Sequence, residues 1–135
     1  MADYNKFYGF VEAITEKKHN LGADTIKVAL CSAANAPVAT DAVLADLVTV
    51  DTTNLSPLTT TLISSSQTNG TYSLVLQDLT MTASAAVGPF RYVVLYNDTA
   101  TDDDLICWYD YGAEITLNAG ETFTLDFGAT VLTLA

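Results

Sequence analysis

Apolar and polar residues alternate along most of this chain with the period of β-strands, and the pattern is strongest between Phe90 and Gly112. This stretch predicts two strands joined by a short acidic loop. Both faces of each strand are apolar, so we expect the hairpin at the centre of a sheet that is covered on both sides. In the first predicted strand, one face consists of Phe90, Tyr92, Val94 and Tyr96, and the other of Val93 and Leu95. In the second strand, one face consists of Ile106 and Trp108, and the other of Leu105, Cys107, Tyr109 and Tyr111.

Helical periodicity is confined to the start of the chain. Apolar residues at helical spacing predict one amphipathic helix over residues 4–18, with Asp3 as its N-cap. Lys17 and Lys18 fall at its C-terminal end, where the helix dipole favours cations, and Gly22 supplies the stop. The apolar stripe must be buried in the chain's own core or in a neighbouring subunit, and it consists of Phe7, Phe10, Val11 and Ile14.

The rest of the chain predicts short strands and turns. A strand at 24–32 is followed by a softer region at 33–57, which is rich in Ala, Thr, Asn and Asp. Within this region we predict a helical turn at 41–47 and a short strand at 47–50, and long connections of this kind often bind partners. Further strands are predicted at 58–67, 70–77, 79–84, 122–127 and 130–134. Turns are predicted at Asn69-Gly70, Gly88-Pro89 and Asn118-Gly120, and the pairing of the central hairpin is predicted to end at Gly112.

About six to eight short strands with regular turns predict a mainly β fold, a β-sandwich or jelly-roll-like domain with an N-terminal amphipathic helix. The 135 residues fit a single domain over 1–135, in which 1–22 form the helix and its turn and 33–57 an extended arm or loop. We expect no membrane span and no secretory signal, because no apolar run approaches ~20 residues and the first residues lack a basic start before an apolar core.

The charge of the chain is strongly negative and unevenly distributed. The formal net charge is −11, and after residue 27 twelve acidic residues stand against Arg91 alone. Phosphate backbones and anionic lipid surfaces would repel a domain with this negative charge, so we expect neither nucleic acid nor membrane as a partner. A partner should instead be basic or be met through an apolar patch.

Residue patterns that support catalysis or cofactor binding are scarce. His19 is the only histidine and is interpreted as solvent-exposed or capping. Cys31 and Cys107 are interpreted as buried free thiols, with a bridge between adjacent strands as the alternative. The sequence contains no phosphate-binding glycine-rich loop, dinucleotide fingerprint or zinc-ligand spacing. We therefore expect no enzyme activity, no cofactor and no metal site.

Two groups of carboxylates leave alternatives open. The loop at 97–104 contains side chains that suit calcium, but it lacks the spacing of an EF-hand, and a solvated hairpin tip is the favoured interpretation. Asp110 and Glu114, near Trp108, could form the carboxylate pair of a glycan-cleaving site. For Asp110, at a predicted strand end, the favoured role is a buried hydrogen-bond acceptor or a loop anchor.

Three strings, GPFRYVVLYND at 88–98, WYDYG at 108–112 and GETFTLDFG at 120–128, together resemble a family of tailed-bacteriophage virion proteins. These are capsid decoration, or cement, proteins, and the resemblance covers nearly the whole chain. It implies a structural role on the capsid exterior, after assembly in the host cytoplasm, with the major capsid protein as partner and with no catalysis and no cofactor. A tail or fibre component, or a receptor-binding virion protein, is the alternative.

Capsid symmetry favours a small homo-oligomer, a dimer or trimer, in such a role. The N-terminal helix and the 33–57 region are the segments expected to make contacts, because the helix carries aromatic residues and much of the positive charge. The candidate contacts with the capsid or a sister subunit are Phe7, Phe10, Val11, Ile14, Lys17 and Lys18.

Overall fold

The computed structural model describes residues 2–135, which form ten β-strands, the helix α1 (Tyr8–Thr15) and short 3-10 turns at Ala33–Asn35 and Leu44–Asp46. The prediction of a mainly β chain with one N-terminal helix is therefore confirmed. No helix within 2–135 is long and apolar enough to cross a membrane. The strands are β1 Asp3–Lys6, β2 Ile26–Cys31, β3 Leu55–Ser56, β4 Thr61–Thr68, β5 Thr71–Gln77, β6 Leu79–Ala83, β7 Val87–Asn97, β8 Leu105–Leu117, β9 Thr122–Leu125 and β10 Leu132–Leu134.

The strands pair into three antiparallel sheets, with the orders β1-β8-β7-β2, β10-β5-β4 and β3-β6-β9. The predicted hairpin β7-β8 supplies the two central strands of the four-stranded sheet, so the prediction of its central position is confirmed. All three sheets contribute to the main core, for example through Val93 of β7, Leu74 of β5 and Met81 of β6. Each of these three side chains is completely buried.

A smaller apolar cluster, which we call the outer cluster, covers the opposite face of the four-stranded sheet. The rings of Phe7 and Trp108 meet there with their centroids 4.6 Å apart. Segment 33–57 lies against it, and the backbone N–H of Tyr8 donates to the carbonyl of Ala39 at 2.8 Å. Both faces of the hairpin are therefore covered, as predicted. The outer cluster consists of Phe7, Ala29, Cys31, Tyr92, Val94, Leu105 and Trp108.

The helix is shorter at both ends than the predicted 4–18, because the chain starts as a strand. β1 pairs with β8, with Tyr4 opposite Tyr109, and this pairing uses the backbone groups that a helix would need. Asp3 is consequently not the N-cap, and Phe7 occupies that position without a side-chain cap. At the other end Lys17 has a positive φ of 65°, which does not continue a helix.

Two predicted strand ends, the turn at Gly88-Pro89 and the stop at Gly112, are wrong, because both glycines lie inside long strands. Gly88 has a φ of +107°, and a Cβ there would lie 2.7 Å from the carbonyl oxygen of Ile115. Gly112 has a φ of +79°, and β8 continues past it to Leu117. A glycine does not by itself distinguish a bulge from a turn, because both need backbone conformations that other residues avoid.

Irregular pairing also moves residues of the hairpin to the face opposite the predicted one. The register shifts after Phe90, which places this ring in the main core beside Val93 rather than with Tyr92. A second shift, nearer the acidic loop, puts Ile106 in the main core and Leu105 in the outer cluster. The alternation of apolar residues predicts that both faces are buried, but bulges decide which residue lies on which face.

Other local predictions had mixed outcomes. The Asn69-Gly70 turn between β4 and β5 is confirmed, with φ values of 51° and 84°. The helical turn predicted at 41–47 is the 3-10 turn Leu44–Asp46. The strand predicted at 47–50 is wrong, since 48–50 is irregular and is held by one bond, from the N–H of Val50 to the carbonyl of Leu30 at 2.8 Å.

Candidate interaction surface

A surface groove runs between the N-terminal helix and the C-terminal strand, and we call it the N-terminal groove. It has a wide lobe of about 660 Å³ and a narrow lobe of about 400 Å³. The two lobes share Ile14, Tyr72 and Leu134 in their walls and therefore form one continuous depression. Lys17 and Lys18 line the wide lobe, while the narrow lobe lies between β1 and β10.

The six predicted contact residues divide into buried and accessible ones. Phe7 is fully buried and Phe10 is 8% exposed, so both pack mainly within their own chain. Val11 is 49% exposed, and both lysines are exposed. All but Phe7 line the N-terminal groove: Phe10, Val11, Ile14, Lys17 and Lys18. Helical spacing identified the correct side of the molecule, but it could not show that the four-stranded sheet and segment 33–57 would enclose Phe7.

Positive charge collects at this groove although the chain is strongly acidic. Of the five cationic residues, Lys6, Lys17 and Lys18 line its walls. The salt bridges formed by residues 2–135 are Arg91 with Asp110 (2.9 Å), Lys27 with Asp98 (3.3 Å) and Lys18 with Asp104 (3.9 Å). Lys6 and Lys17 take part in none of these, and the side chain of Lys18 is half exposed. The groove is thus where the protein presents unneutralised positive charge.

The buried side chain of Asn97 connects four residues that line the wide lobe. Its Oδ1 accepts the backbone N–H groups of Thr99 (3.0 Å) and Ala100 (3.1 Å). Its Nδ2 therefore donates to Asp24 Oδ2 (2.7 Å) and to His19 Nδ1 (3.0 Å). Asn97 is completely buried, so the base of the acidic loop is fixed to the turn that follows α1.

His19 is buried, 7% exposed, and the prediction of an exposed or capping histidine is wrong. Its Nδ1 accepts the amide of Asn97, so in the neutral ring Nε2 carries the proton, and this atom has no hydrogen-bond partner within 2–135. Burial lowers the pKa of His19; the carboxylates of Asp104 and Asp24 oppose this and Lys18 adds to it. No local pattern around His19 indicates this burial, because its partner Asn97 lies 78 positions away in the sequence.

We expect the free energy of unfolding to fall as the pH is lowered below 6.5, the ordinary pKa of histidine. The pKa of His19 is lower in the folded protein than in the unfolded chain, so below pH 6.5 the unfolded chain binds a proton that the folded protein does not. Acidification therefore favours unfolding until the pH reaches the pKa of His19 in the folded protein. The chain has one histidine, so the effect can be isolated as the difference between the wild type and His19→Gln. Urea unfolding between about pH 5 and pH 8 measures it.

The NMR titration of His19 in the folded wild type provides a check that does not depend on the variant. An imidazole resonance that titrates below 6.5 agrees with the buried network around His19 and Asn97. A resonance that titrates at or above that value would contradict it. This readout remains decisive if His19→Gln does not fold.

Neither of the two groups of carboxylates belongs to a metal-binding cluster in the described part of the chain. Within residues 2–135 there is no group of three or more His, Cys, Asp or Glu side chains placed to hold a metal ion. Asp110 accepts two hydrogen bonds from Arg91 and one from the N–H of Gly112, and these interactions hold the pKa of Asp110 below its usual range. The prediction that Asp110 accepts hydrogen bonds is confirmed, but its side chain is 24% exposed and is therefore not buried as predicted. Glu114 is exposed, and Trp108 is buried in the outer cluster.

The two cysteines are buried free thiols, as predicted. Cys31 lies in the outer cluster and Cys107 in the main core, so they point to opposite sides of the four-stranded sheet and are not placed to pair. Burial raises the pKa of Cys31 to about 11 and that of Cys107 to about 12. Both remain protonated at neutral pH and act as small apolar side chains.

Comparisons with protein-family models, with curated proteins and with solved structures found no match for this chain. A function is therefore inferred from the chain's own residues. The N-terminal groove combines partly exposed apolar side chains with lysines that lack firm partners. Such a surface is suited to binding another macromolecule.

Proposed function

We propose that this protein is a capsid decoration protein, which binds the outer surface of a tailed-bacteriophage head and stabilises the lattice of the major capsid protein. The observation that carries the proposal is the N-terminal groove, where accessible apolar and cationic side chains adjoin each other on an otherwise acidic domain. The resemblance of three strings of the sequence to decoration proteins supports the major capsid protein as the partner.

The architecture supports a binding role. We infer a β-sandwich, jelly-roll-like arrangement, in which the four-stranded sheet faces the two three-stranded sheets across the main core. Its connections are held by side-chain anchors, such as Asn97 at the acidic loop and Asp110 at the bulge in β8. Connections that are already anchored lose little conformational entropy when the domain binds to a rigid shell.

Electrostatics favour one orientation on the shell. The lysines of the groove would face the capsid, and the acidic remainder of the domain would face solvent, where repulsion keeps neighbouring particles apart. Each copy would contribute a modest contact area, but a dimer or trimer engages several subunits at once, and avidity raises the overall affinity. This accounts for stabilisation of a lattice without any catalytic step.

Co-sedimentation with capsids of the cognate phage tests the proposed function. We expect the purified protein to bind undecorated, expanded capsids at a fixed stoichiometry and to bind unexpanded procapsids much less, since a cement protein recognises the mature lattice. Failure to bind capsids of either kind would contradict the proposal. Binding to isolated tails would then favour the tail or fibre alternative.

Charge at the groove can be tested with two variants of equal net charge. Lys17→Gln/Lys18→Gln and Ala85→Glu/Ala86→Glu each change the formal net charge from −11 to −13. Only the first pair lines the groove, and all four residues are exposed. We expect the lysine variant to bind expanded capsids about tenfold more weakly at low salt, because exposed charges act mainly on association.

The alanine variant controls for the change in total charge, and we expect it to bind like the wild type. We expect both proteins to stay within about 1 kcal/mol of the wild type in free energy of unfolding, because the replaced side chains are exposed and the Lys18–Asp104 pair is long, at 3.9 Å. Equal weakening by the two variants would show that overall repulsion, rather than the groove lysines, governs binding. If the lysine variant binds with unchanged affinity, Lys17 and Lys18 do not contribute to the interface.

A further inference from the structure

Two strands with free edges border the narrow lobe of the N-terminal groove. Within residues 2–135, β1 pairs only with β8 and β10 only with β5, so each is the outermost strand of its sheet. Tyr4 and Lys6 of β1 and Leu132–Leu134 of β10 lie in the walls of the lobe. An edge strand carries backbone N–H and C=O groups that an added strand can pair with.

The walls of the groove match an extended segment with alternating side chains. Apolar surface is offered by Tyr4, Val11 and Leu134, which are 41%, 49% and 57% exposed. Leu134 lies in the walls of both lobes, so a chain that follows β10 passes from this apolar surface to the lysines of the wide lobe. In an extended chain one face can contact apolar side chains while the other presents charge.

The one carboxylate in the walls of the two lobes does not cancel the lysines there. Asp24 accepts hydrogen bonds through Oδ2 from the amide of Asn97 (2.7 Å) and from the backbone N–H of Asn20 (2.8 Å). Lys6 and Lys17 form no salt bridge with any residue of the described chain. Lys6 and Lys17 therefore offer unpaired positive charge to an occupant of the groove, and Lys17 and Lys18 also line a neighbouring pocket together with Asp102 and Asp104.

We propose that the N-terminal groove binds one extended, acidic segment of a partner protein, which adds as a strand to the free edge of β10. The backbone of the segment would hydrogen-bond to β10, its apolar side chains would contact Val11 and Leu134, and its carboxylates would meet the groove lysines. This goes beyond the proposed function because it specifies the conformation and charge of the bound segment, whichever protein supplies it.

A synthetic peptide of about eight residues, in which valine alternates with glutamate, is the probe for this proposal. Its binding to the full chain is measured by NMR titration at neutral pH, together with the exchange rates of the backbone amides. We expect saturable binding and slower exchange of amides in β10. A peptide in which lysine replaces glutamate should not bind. Absence of acidic-peptide binding at millimolar concentration, or equal binding of both peptides, would overturn the proposal.

Two variants on opposite edges of one sheet locate the binding site. Leu134 lies on β10 and Ile63 on β4, the two outer strands of the order β10-β5-β4, and they are 57% and 61% exposed. We expect Leu134→Glu to weaken binding of the acidic peptide at least about tenfold, through lost apolar contact and like-charge repulsion. Ile63→Glu adds the same charge outside the groove and should leave binding unchanged.

Equal loss of peptide binding in both variants would overturn the assignment to β10. Both variants are compared with the wild type by urea unfolding, and equal stability excludes an effect on folding, which we expect because both side chains are exposed. The peptide assay contains no capsid. If the protein binds the peptide but not capsids, the groove proposal stands and the decoration function is rejected. If it binds capsids but not the peptide, the decoration function stands and the groove proposal is rejected.

Discussion

Replacing Phe7 with alanine is expected to lower the free energy of unfolding by about 3–5 kcal/mol, the usual range for a buried phenylalanine. Phe7 is completely buried, and its ring packs against Trp108 with the centroids 4.6 Å apart. Its removal leaves a cavity in the outer cluster between the four-stranded sheet and segment 33–57. Urea unfolding followed by tryptophan fluorescence measures the change, because the chain has a single tryptophan.

Val11→Ala is the matched control, since Val11 lies on α1, of which Phe7 is the N-cap, but is 49% exposed. We expect its free energy of unfolding to change by less than about 0.5 kcal/mol, while its binding to capsids is weakened. A small destabilisation by Phe7→Ala would contradict the enclosure of this ring. Equal destabilisation by the two variants would contradict the division of the predicted contacts into buried and accessible residues.

Asn97→Ala is expected to lower the free energy of unfolding by about 3 kcal/mol, because several buried polar groups lose their partner together. The amide oxygen of Asn97 accepts the N–H groups of Thr99 and Ala100, and its nitrogen donates to Asp24 and His19. Alanine replaces none of these bonds. Amide hydrogen exchange at Thr99 and Ala100 should become faster at the same time, and NMR measures both effects.

The control for this variant is Asn54→Ala. Asn54 is exposed, and its side chain forms no hydrogen bond with the described part of the chain, so we expect a change within about 0.5 kcal/mol. Destabilisation of the same size in both variants would show that loss of an asparagine, rather than of the network, is responsible. Unchanged exchange at Thr99 and Ala100 would show that the acidic loop is held by other contacts.

The fold class could be predicted from the sequence because it depends on local periodicity. The double-sided apolar pattern of 90–112 identified the central hairpin, and Asn69-Gly70 identified a tight turn, since both signals lie within a few adjacent residues. The bulges at Gly88 and Gly112 could not be distinguished from strand ends, because glycine serves both. Phe90 consequently lies on the face opposite the predicted one.

The site was predictable only in part, because burial depends on contacts between distant segments. The helical stripe identified Val11, Lys17 and Lys18, which do line the groove. The same stripe could not show that Phe7 is enclosed between the four-stranded sheet and segment 33–57. The second wall of the groove, β10, is brought to the N-terminal helix only by its pairing with β5, and neither segment carries a local signal for that approach.

Electron cryomicroscopy of expanded capsids saturated with the protein tests the central claim most directly. A decoration protein should appear as ordered density on the outer surface of the head, at seams between major capsid subunits. We predict that the helix α1 and strand β10 face the shell and that strand β4, at the opposite edge of the sheet that contains β10, faces solvent. Density confined to the tail, density inside the head, or binding through the opposite side of the domain would contradict this account.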